Sequence, residues 1–104
     1  MTASALPYFN VESDTLGTLR VSGAITFTNA ARVLAHVPQA PRTGTPLVID
    51  LSALENADSA TLAVLIAWAA AARGRGGKLL YQRAPQGLRN LARLCAVDVL
   101  LGLA

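Results

Sequence analysis

The chain has little of what metal sites, disulfides and catalytic triads require. Its 104 residues include one cysteine, Cys95, and one histidine, His36. A single cysteine excludes an internal disulfide framework and a zinc site built from several thiolates. His36 lies in a segment without a nucleophile motif, so no Ser-His-Asp arrangement can be argued. We therefore predict no catalytic residue, no metal and no cofactor.

Charged residues and long uncharged runs are both scarce. Charged side chains make up 14% of the residues, against about a quarter in typical domains, while hydrophobic residues reach 53%. The longest uncharged run, residues 59–72, is shorter than the roughly 18 residues of a spanning helix. The first ten residues also lack the basic and apolar regions of a signal peptide. We expect a soluble, cytoplasmic, single domain over residues 1–104 whose surface is partly covered by a partner.

Acidic residues are absent from residues 59–97, which gives that segment a local charge of +6. The basic residues there are Arg73, Arg75, Lys78, Arg83, Arg89 and Arg93. Such a face could meet nucleic acid, anionic lipid or an acidic partner. Aromatic residues that would stack on bases are few, at 5% of the chain, so we expect no nucleic-acid partner and a solvated basic face.

The hydropathy pattern predicts strands that alternate with helices. Strands are predicted over residues 6–11, 18–22, 47–51 and 78–81, and helices over 27–37, 59–73 and from Pro85 onward. Residues 97–103 form a last apolar segment, either strand or helix. The order ββαβαβα implies an α/β fold, a mixed sheet of about four strands with helices packed on it.

Smaller predictions follow from single residues. Thr26 or Thr28 is expected to cap the first helix, and Phe27 to lie on its apolar stripe. Cys95 is expected in the core, on the apolar stripe of the third helix. The glycine-rich segment 74–78 lacks the spacing of a phosphate-binding loop and is predicted to be a turn.

The step from Asp58 to Ser59 is the most informative in the chain. It follows a predicted central strand and opens the longest predicted helix. Ligand sites in α/β sheets lie at the carboxyl ends of strands, and a helix start favours anions. A hydroxyl here could carry a phosphate that the helix dipole would stabilise. The alternative is that Asp58 or Ser59 is only an N-cap, because both residue types are preferred there.

The helix that begins there is apolar on two sides. One stripe consists of Leu62, Leu65, Ile66 and Ala69, and the other of Ala60, Val64, Ala67, Trp68 and Ala71. One side should pack on the sheet, and the side with Trp68 needs a second cover. That cover is either a partner chain, with Trp68 as the interface anchor, or another helix of the same domain.

These residues resemble the STAS domain, the fold shared by anti-sigma-factor antagonists and the tails of sulphate transporters. The resemblance is carried by the strand VIDLS (48–52), the Asp58–Ser59 step and the helix SATLAVLIAWAAAARGRGGKL. Within that family the chain is most similar to the small MlaB-like subunits of intermembrane phospholipid-transport ABC systems. The similarity includes the start DSATLAVLIAWA and the ending LRNLARLCAVDVLLGL, and with the flanking strands it spans nearly the whole chain.

The resemblance implies a non-enzymatic regulatory subunit that binds the ATPase of a phospholipid-transport ABC transporter and helps to maintain outer-membrane lipid asymmetry. Such a subunit would touch the inner membrane only indirectly, through its complex, and could form a homodimer in isolation. The implied partner-binding residues are Ser59, Asp58, Ala60, Thr61, Val64 and Trp68.

Two alternatives stay open. One is an anti-sigma-factor antagonist switched by an anti-sigma kinase that phosphorylates Ser59, and the other is a nucleotide-binding STAS protein. The chain departs from the family pattern at Ala60–Thr61, where a glycine is usual, and we expect Thr61 to restrict a kinase or nucleotide there.

Overall fold

Strands and helices alternate along the chain, as the hydropathy pattern predicts. The computed structural model describes residues 9–13, 18–36, 46–55 and 58–103. Its elements are β1 (Phe9–Ser13), β2 (Leu19–Gly23), α1 (Ala30–Leu34), β3 (Leu47–Leu54), α2 (Ser59–Gly74), β4 (Leu79–Gln82), α3 (Gln86–Leu94) and α4 (Asp98–Leu101). The α/β class and the ββαβαβα order are confirmed, and the last apolar segment contains a helix.

The described strands form one mixed sheet in the order β1-β2-β3-β4. β1 pairs antiparallel with β2, while β3 pairs parallel with both β2 and β4. Parallel neighbours need a crossover connection, and the helices α1 and α2 lie in the two crossovers. Gly23 is level with Leu54, so β2 and β3 end at the same edge of the sheet.

The core lies between the sheet and α2, which also contacts α1, α3 and α4. Alternate residues of the strands point into it, including Val21, Ile49 and Leu51, each 0% exposed. Tyr81 on β4 is buried as well, and its hydroxyl donates to the carbonyl oxygen of Leu65 at 2.7 Å. Burial raises the pKa of Tyr81 far above its ordinary value, so this hydroxyl stays protonated.

Two boundaries at the edge where β2 and β3 end differ from the prediction. β3 continues to Leu54, because residues expected in a loop pair with β2. α1 begins at Ala30 rather than at Phe27, and its N-cap is Asn29, so the predicted Thr26 or Thr28 cap is wrong. The Asn29 side chain accepts the Thr26 N–H at 2.9 Å and donates to the Ala24 carbonyl at 2.8 Å, which fixes a turn before the helix.

Parts of three other predictions lie outside the described residues. The first strand is described over Phe9–Ser13, and residues 6–8 of its predicted range are not covered. Residues 37 and 41–45, predicted as the helix end and a loop, also fall outside. Residues 56–57 of the loop before α2 do so as well.

The chain turns sharply after α2 and after α3. Gly76 has a φ of +79°, which confirms the predicted glycine turn. α3 ends at Leu94, and Ala96 takes the left-handed conformation with a φ of +59°. The N–H of Val97 then donates to the carbonyl of Ala92 at 2.9 Å. Cys95 is exposed, so its predicted place in the core is wrong, because the helix ends before it.

Candidate functional site

Asp58 caps the start of α2. Its backbone is extended, with φ −129° and ψ −176°, and its Oδ1 accepts the N–H of Thr61 at 3.0 Å. A carboxylate at this position satisfies a free N–H group and suits the positive end of the helix dipole. Ser59 is therefore the first helical residue rather than the cap. The sequence left this choice open, and the structure assigns the cap to Asp58.

Thr61 ties α2 to the neighbouring loop. Its side chain is fully buried, and its Oγ1 lies 2.9 Å from the carbonyl oxygen of Ile25, to which it donates. The same oxygen lies 3.2 Å from Asp58 Oδ1. Ile25 belongs to the loop between β2 and α1, which Asn29 also stabilises. The start of α2 and this loop therefore form one fixed unit at the edge of the sheet.

Ser59 is the accessible member of the predicted site. Its side chain is exposed, and the hydrogen bonds found at this helix start among the described residues use Asp58 and Thr61 instead. Because the Thr61 side chain points inward, it leaves the Ser59 hydroxyl open. The expectation that Thr61 restricts access to Ser59 is therefore wrong.

An exposed aromatic residue lies in the loop that is bonded to the start of α2. Phe27 is 78% exposed and sits two residues after Ile25, in the loop that Thr61 holds against α2. Ala63 follows Ser59 by one helical turn and is also exposed. We call Phe27, Ser59 and Ala63 the Ser59 patch. Helical spacing predicts that Phe27 lies inside α1, although Asn29, two residues later, is a preferred N-cap residue and indicates the later start.

The stripe containing Trp68 lies inside the chain. Trp68 is 0% exposed, and its Nε1 donates to the Val33 carbonyl of α1 at 3.2 Å. Val64 and Ala60 are 1% and 2% exposed. The cover of this stripe is thus α1 of the same chain, and the prediction of Trp68 as a partner anchor is wrong. Ala60, Thr61 and Val64 likewise serve the core rather than a free surface.

A buried carboxylate lies on the other side of the sheet from α2. Asp50 is 2% exposed, its Oδ1 accepts the Ser52 N–H at 2.9 Å, and its Oδ2 lies 3.7 Å from Arg20 and 3.3 Å from Arg83. Burial alone would raise the pKa of Asp50, but the hydrogen bonds from Ser52 and the two guanidinium groups outweigh it and hold the pKa below its ordinary value. Asp50 therefore stays ionised near neutral pH and is poorly suited to acid–base catalysis.

The described residues contain neither a cluster of metal-ligating side chains nor a helix that could span a membrane. Within residues 9–13, 18–36, 46–55 and 58–103, His, Cys, Asp and Glu side chains nowhere gather in a group of three that could hold a metal ion. Over the same ranges, each helix is too short or too polar to cross a membrane.

The mixed sheet and the capped, buried helix after its central strand define an α/β domain. Comparison with known proteins identifies its family. The family model described as "Mlab, STAS domain" matches residues 10–102. The chain belongs to this STAS family, as its residues led us to expect. No curated protein matches it.

Solved structures support the same fold. An anti-sigma factor antagonist from Mycobacterium paratuberculosis is similar to this chain, with 25% sequence identity and a TM-score of 0.58. The alignment covers 97% of this chain and 87% of that one. The predicted STAS-like mixed sheet with packed helices is confirmed.

Proposed function

We propose that the chain is a non-enzymatic regulatory module that binds a protein partner through the Ser59 patch. The observation that carries the proposal is the exposed Ser59 hydroxyl on a helix start that Asp58 and Thr61 hold in place. Phe27 adds an exposed ring in the loop to which Thr61 is bonded, and aromatic side chains are frequent interface anchors. A fixed surface binds with little ordering cost.

The partner we propose is the ATPase subunit of a phospholipid-transport ABC transporter. The family model, which is described by the name Mlab, supports this choice. In this mechanism the Ser59 patch binds one conformation of the ATPase more tightly than the other and so shifts the balance between them. The chain itself would be peripheral to the inner membrane through that complex.

A second candidate function is that of an anti-sigma-factor antagonist. The similarity to the mycobacterial antagonist supports it, and so does the accessible hydroxyl of Ser59. A phosphate on Ser59 would be stabilised by the N-terminus of α2. It would also place two further negative charges beside Asp58 in the interface, which would repel a partner and act as a switch.

The test is co-purification of the tagged full chain with its cellular partner, followed by mass spectrometry. The variants are Ser59→Asp and, as a matched control, Ala70→Asp, which adds the same charge to an exposed position of the same helix. We expect Ser59→Asp to melt like the parent and lose the partner, because an unpaired charge in a desolvated interface is costly. Ala70→Asp should keep the partner.

The identity of the captured protein separates the two candidates. An ABC ATPase supports the first function. A kinase, together with a mass increase of one phosphate on Ser59, supports the second. If Ser59→Asp retains its partner as tightly as Ala70→Asp does, the Ser59 patch is not the interface and the proposal fails.

A further inference from the structure

Three large aliphatic side chains are exposed where the chain passes from α3 to α4. Leu94 at the end of α3 is 84% exposed, and Val99 and Leu100 on α4 are 80% and 57% exposed. The left-handed turn at Ala96 joins the two helices and brings α4 back toward α3. We call Leu94, Val99 and Leu100 the corner patch.

The exposure of these side chains follows from how the two helices use their apolar residues. Leu88 and Ala92 of α3 are each 0% exposed, and Leu101 of α4 is 5% exposed, so the core is already filled from this side. The corner patch lies outside this core. It is therefore not needed to close the core, and a change there need not unfold the chain.

Basic side chains lie near two members of the corner patch. Leu100 lines a small cleft together with Arg73 at the end of α2 and Lys78 before β4. Arg93 precedes Leu94 and is exposed. Asp98, which is half-buried, is the only acidic residue between residues 59 and 104. The corner patch is thus apolar with cationic side chains near it, and we call Arg73, Lys78 and Arg93 its basic rim.

We propose that the corner patch docks directly on an anionic lipid bilayer. Protruding aliphatic side chains can enter the boundary between headgroups and acyl chains, and neighbouring Lys and Arg can bind the lipid phosphates. The long basic side chains can keep their charges at the headgroups while their stems lie along the apolar surface. A fluid bilayer needs no matching pocket for three projecting side chains, whereas a protein partner would.

The bilayer contact is separate from the proposed protein partner. The Ser59 patch lies at the start of α2, and the basic rim of the corner patch begins with Arg73, in its last turn. Failure of one proposal therefore leaves the other standing. The direct contact also goes beyond attachment through a partner complex.

The test is co-sedimentation of the full chain with vesicles, one set of phosphatidylcholine alone and one containing phosphatidylglycerol. We expect binding to the phosphatidylglycerol vesicles that weakens with added salt. Removing two charges with Arg73→Gln/Lys78→Gln should lower partitioning by about tenfold or more. Leu94→Ser/Val99→Ser should lower it comparably. The control Leu34→Ser, which changes an exposed leucine on α1 outside both patches, should leave it unchanged.

Cys95 supplies a second readout on the parent chain. It is the only cysteine in the sequence, is exposed, and follows Leu94 directly. An environment-sensitive fluorophore attached to its Sγ should shift to shorter emission wavelength when the patch enters the bilayer.

Three results would overturn the proposal. The first is no binding to phosphatidylglycerol vesicles at low salt. The second is binding that Leu94→Ser/Val99→Ser leaves intact with no emission shift, because the adsorption would then be purely electrostatic. The third is that Leu94→Ser/Val99→Ser binds vesicles like the parent but no longer co-purifies with an acidic protein. The corner patch would then be a protein interface.

Discussion

At the scale of single residues, Asp58 and Ser59 should contribute unequally to the stability of the fold. Asp58→Ala removes the cap of α2 and should cost about 1 kcal/mol of unfolding free energy, a fall in Tm of about 4–8 °C. Ser59→Ala leaves the Asp58–Thr61 bond in place and should change Tm far less. Asp58→Asn, which keeps an acceptor oxygen, is the control. Thermal melts of the three variants test this, and equal losses for Asp58→Ala and Ser59→Ala would contradict the assignment of the cap.

Trp68 should behave as a core residue. Trp68→Ala empties a fully buried site and should cost about 3–5 kcal/mol of unfolding free energy. Trp68→Phe keeps a ring but loses the bond to the Val33 carbonyl, and should cost less. Urea unfolding measures both. A Trp68→Ala chain that is as stable as the parent but no longer binds its partner would restore the interface interpretation.

Asp50 should make stability depend on pH in the acid range. Its pKa in the folded chain lies below the ordinary 3.8, so its ion pairs and hydrogen bonds stabilise the fold above that value. This contribution disappears as pH falls through the folded pKa. Between about pH 5 and pH 2, the parent should therefore lose stability more steeply than Asp50→Asn does. Urea unfolding across this range measures the two slopes, and parallel slopes would show that Asp50 makes no such contribution.

At the scale of elements, the end of α3 carries a strain that one substitution should relieve. Ala96 adopts a φ of +59°, a conformation that costs an L-residue about 1–2 kcal/mol and glycine almost nothing. Ala96→Gly should stabilise the chain by about 0.5–1 kcal/mol, after the added freedom of the unfolded chain is subtracted. The control, Ala70→Gly inside α2, should destabilise it by up to about 1 kcal/mol. Opposite shifts in Tm are expected, and a loss in both would contradict the strain argument.

The elements predicted well are those whose patterns need no tertiary context. α2 follows from its long run of alanine and leucine after a capping residue, and β3 from the short, nearly continuous apolar run Leu47–Leu51. The start of α1 could not be found in this way, since Phe27 fits the helical spacing but faces solvent. What excludes it from the helix is the turn that Asn29 stabilises.

The candidate site was predictable only in part. The position of Asp58 and Ser59 at a helix start follows from residue type and spacing. Two apolar stripes on α2 also follow, but the sequence does not say which element covers the second. That depends on where the parallel crossover lays α1, a long-range property. For this reason the sequence leaves the cover of Trp68 open between a partner chain and a helix of the same domain, and it does not predict that Phe27 is exposed.

At the scale of the whole molecule, the core closes within one chain, and folding should not require a second copy. The buried side chains of α2 find their partners on the sheet and on α1, α3 and α4 of the same chain. We therefore expect a Tm that does not change with protein concentration, because mass action stabilises only what assembles on folding. Melts over a wide range of dilution measure it. A Tm that rises with concentration would support the homodimer instead.

α2 also sets a distance. Ser59 and Arg73 are separated by fourteen residue steps of one helix, which at 1.5 Å per residue amounts to about 21 Å. An ATPase held at the first residue and a lipid headgroup held near the last could occupy the domain together without competing for surface. Because α2 is packed against the sheet and the other helices, that separation is fixed, and the chain would then act as a rigid spacer between the two contacts.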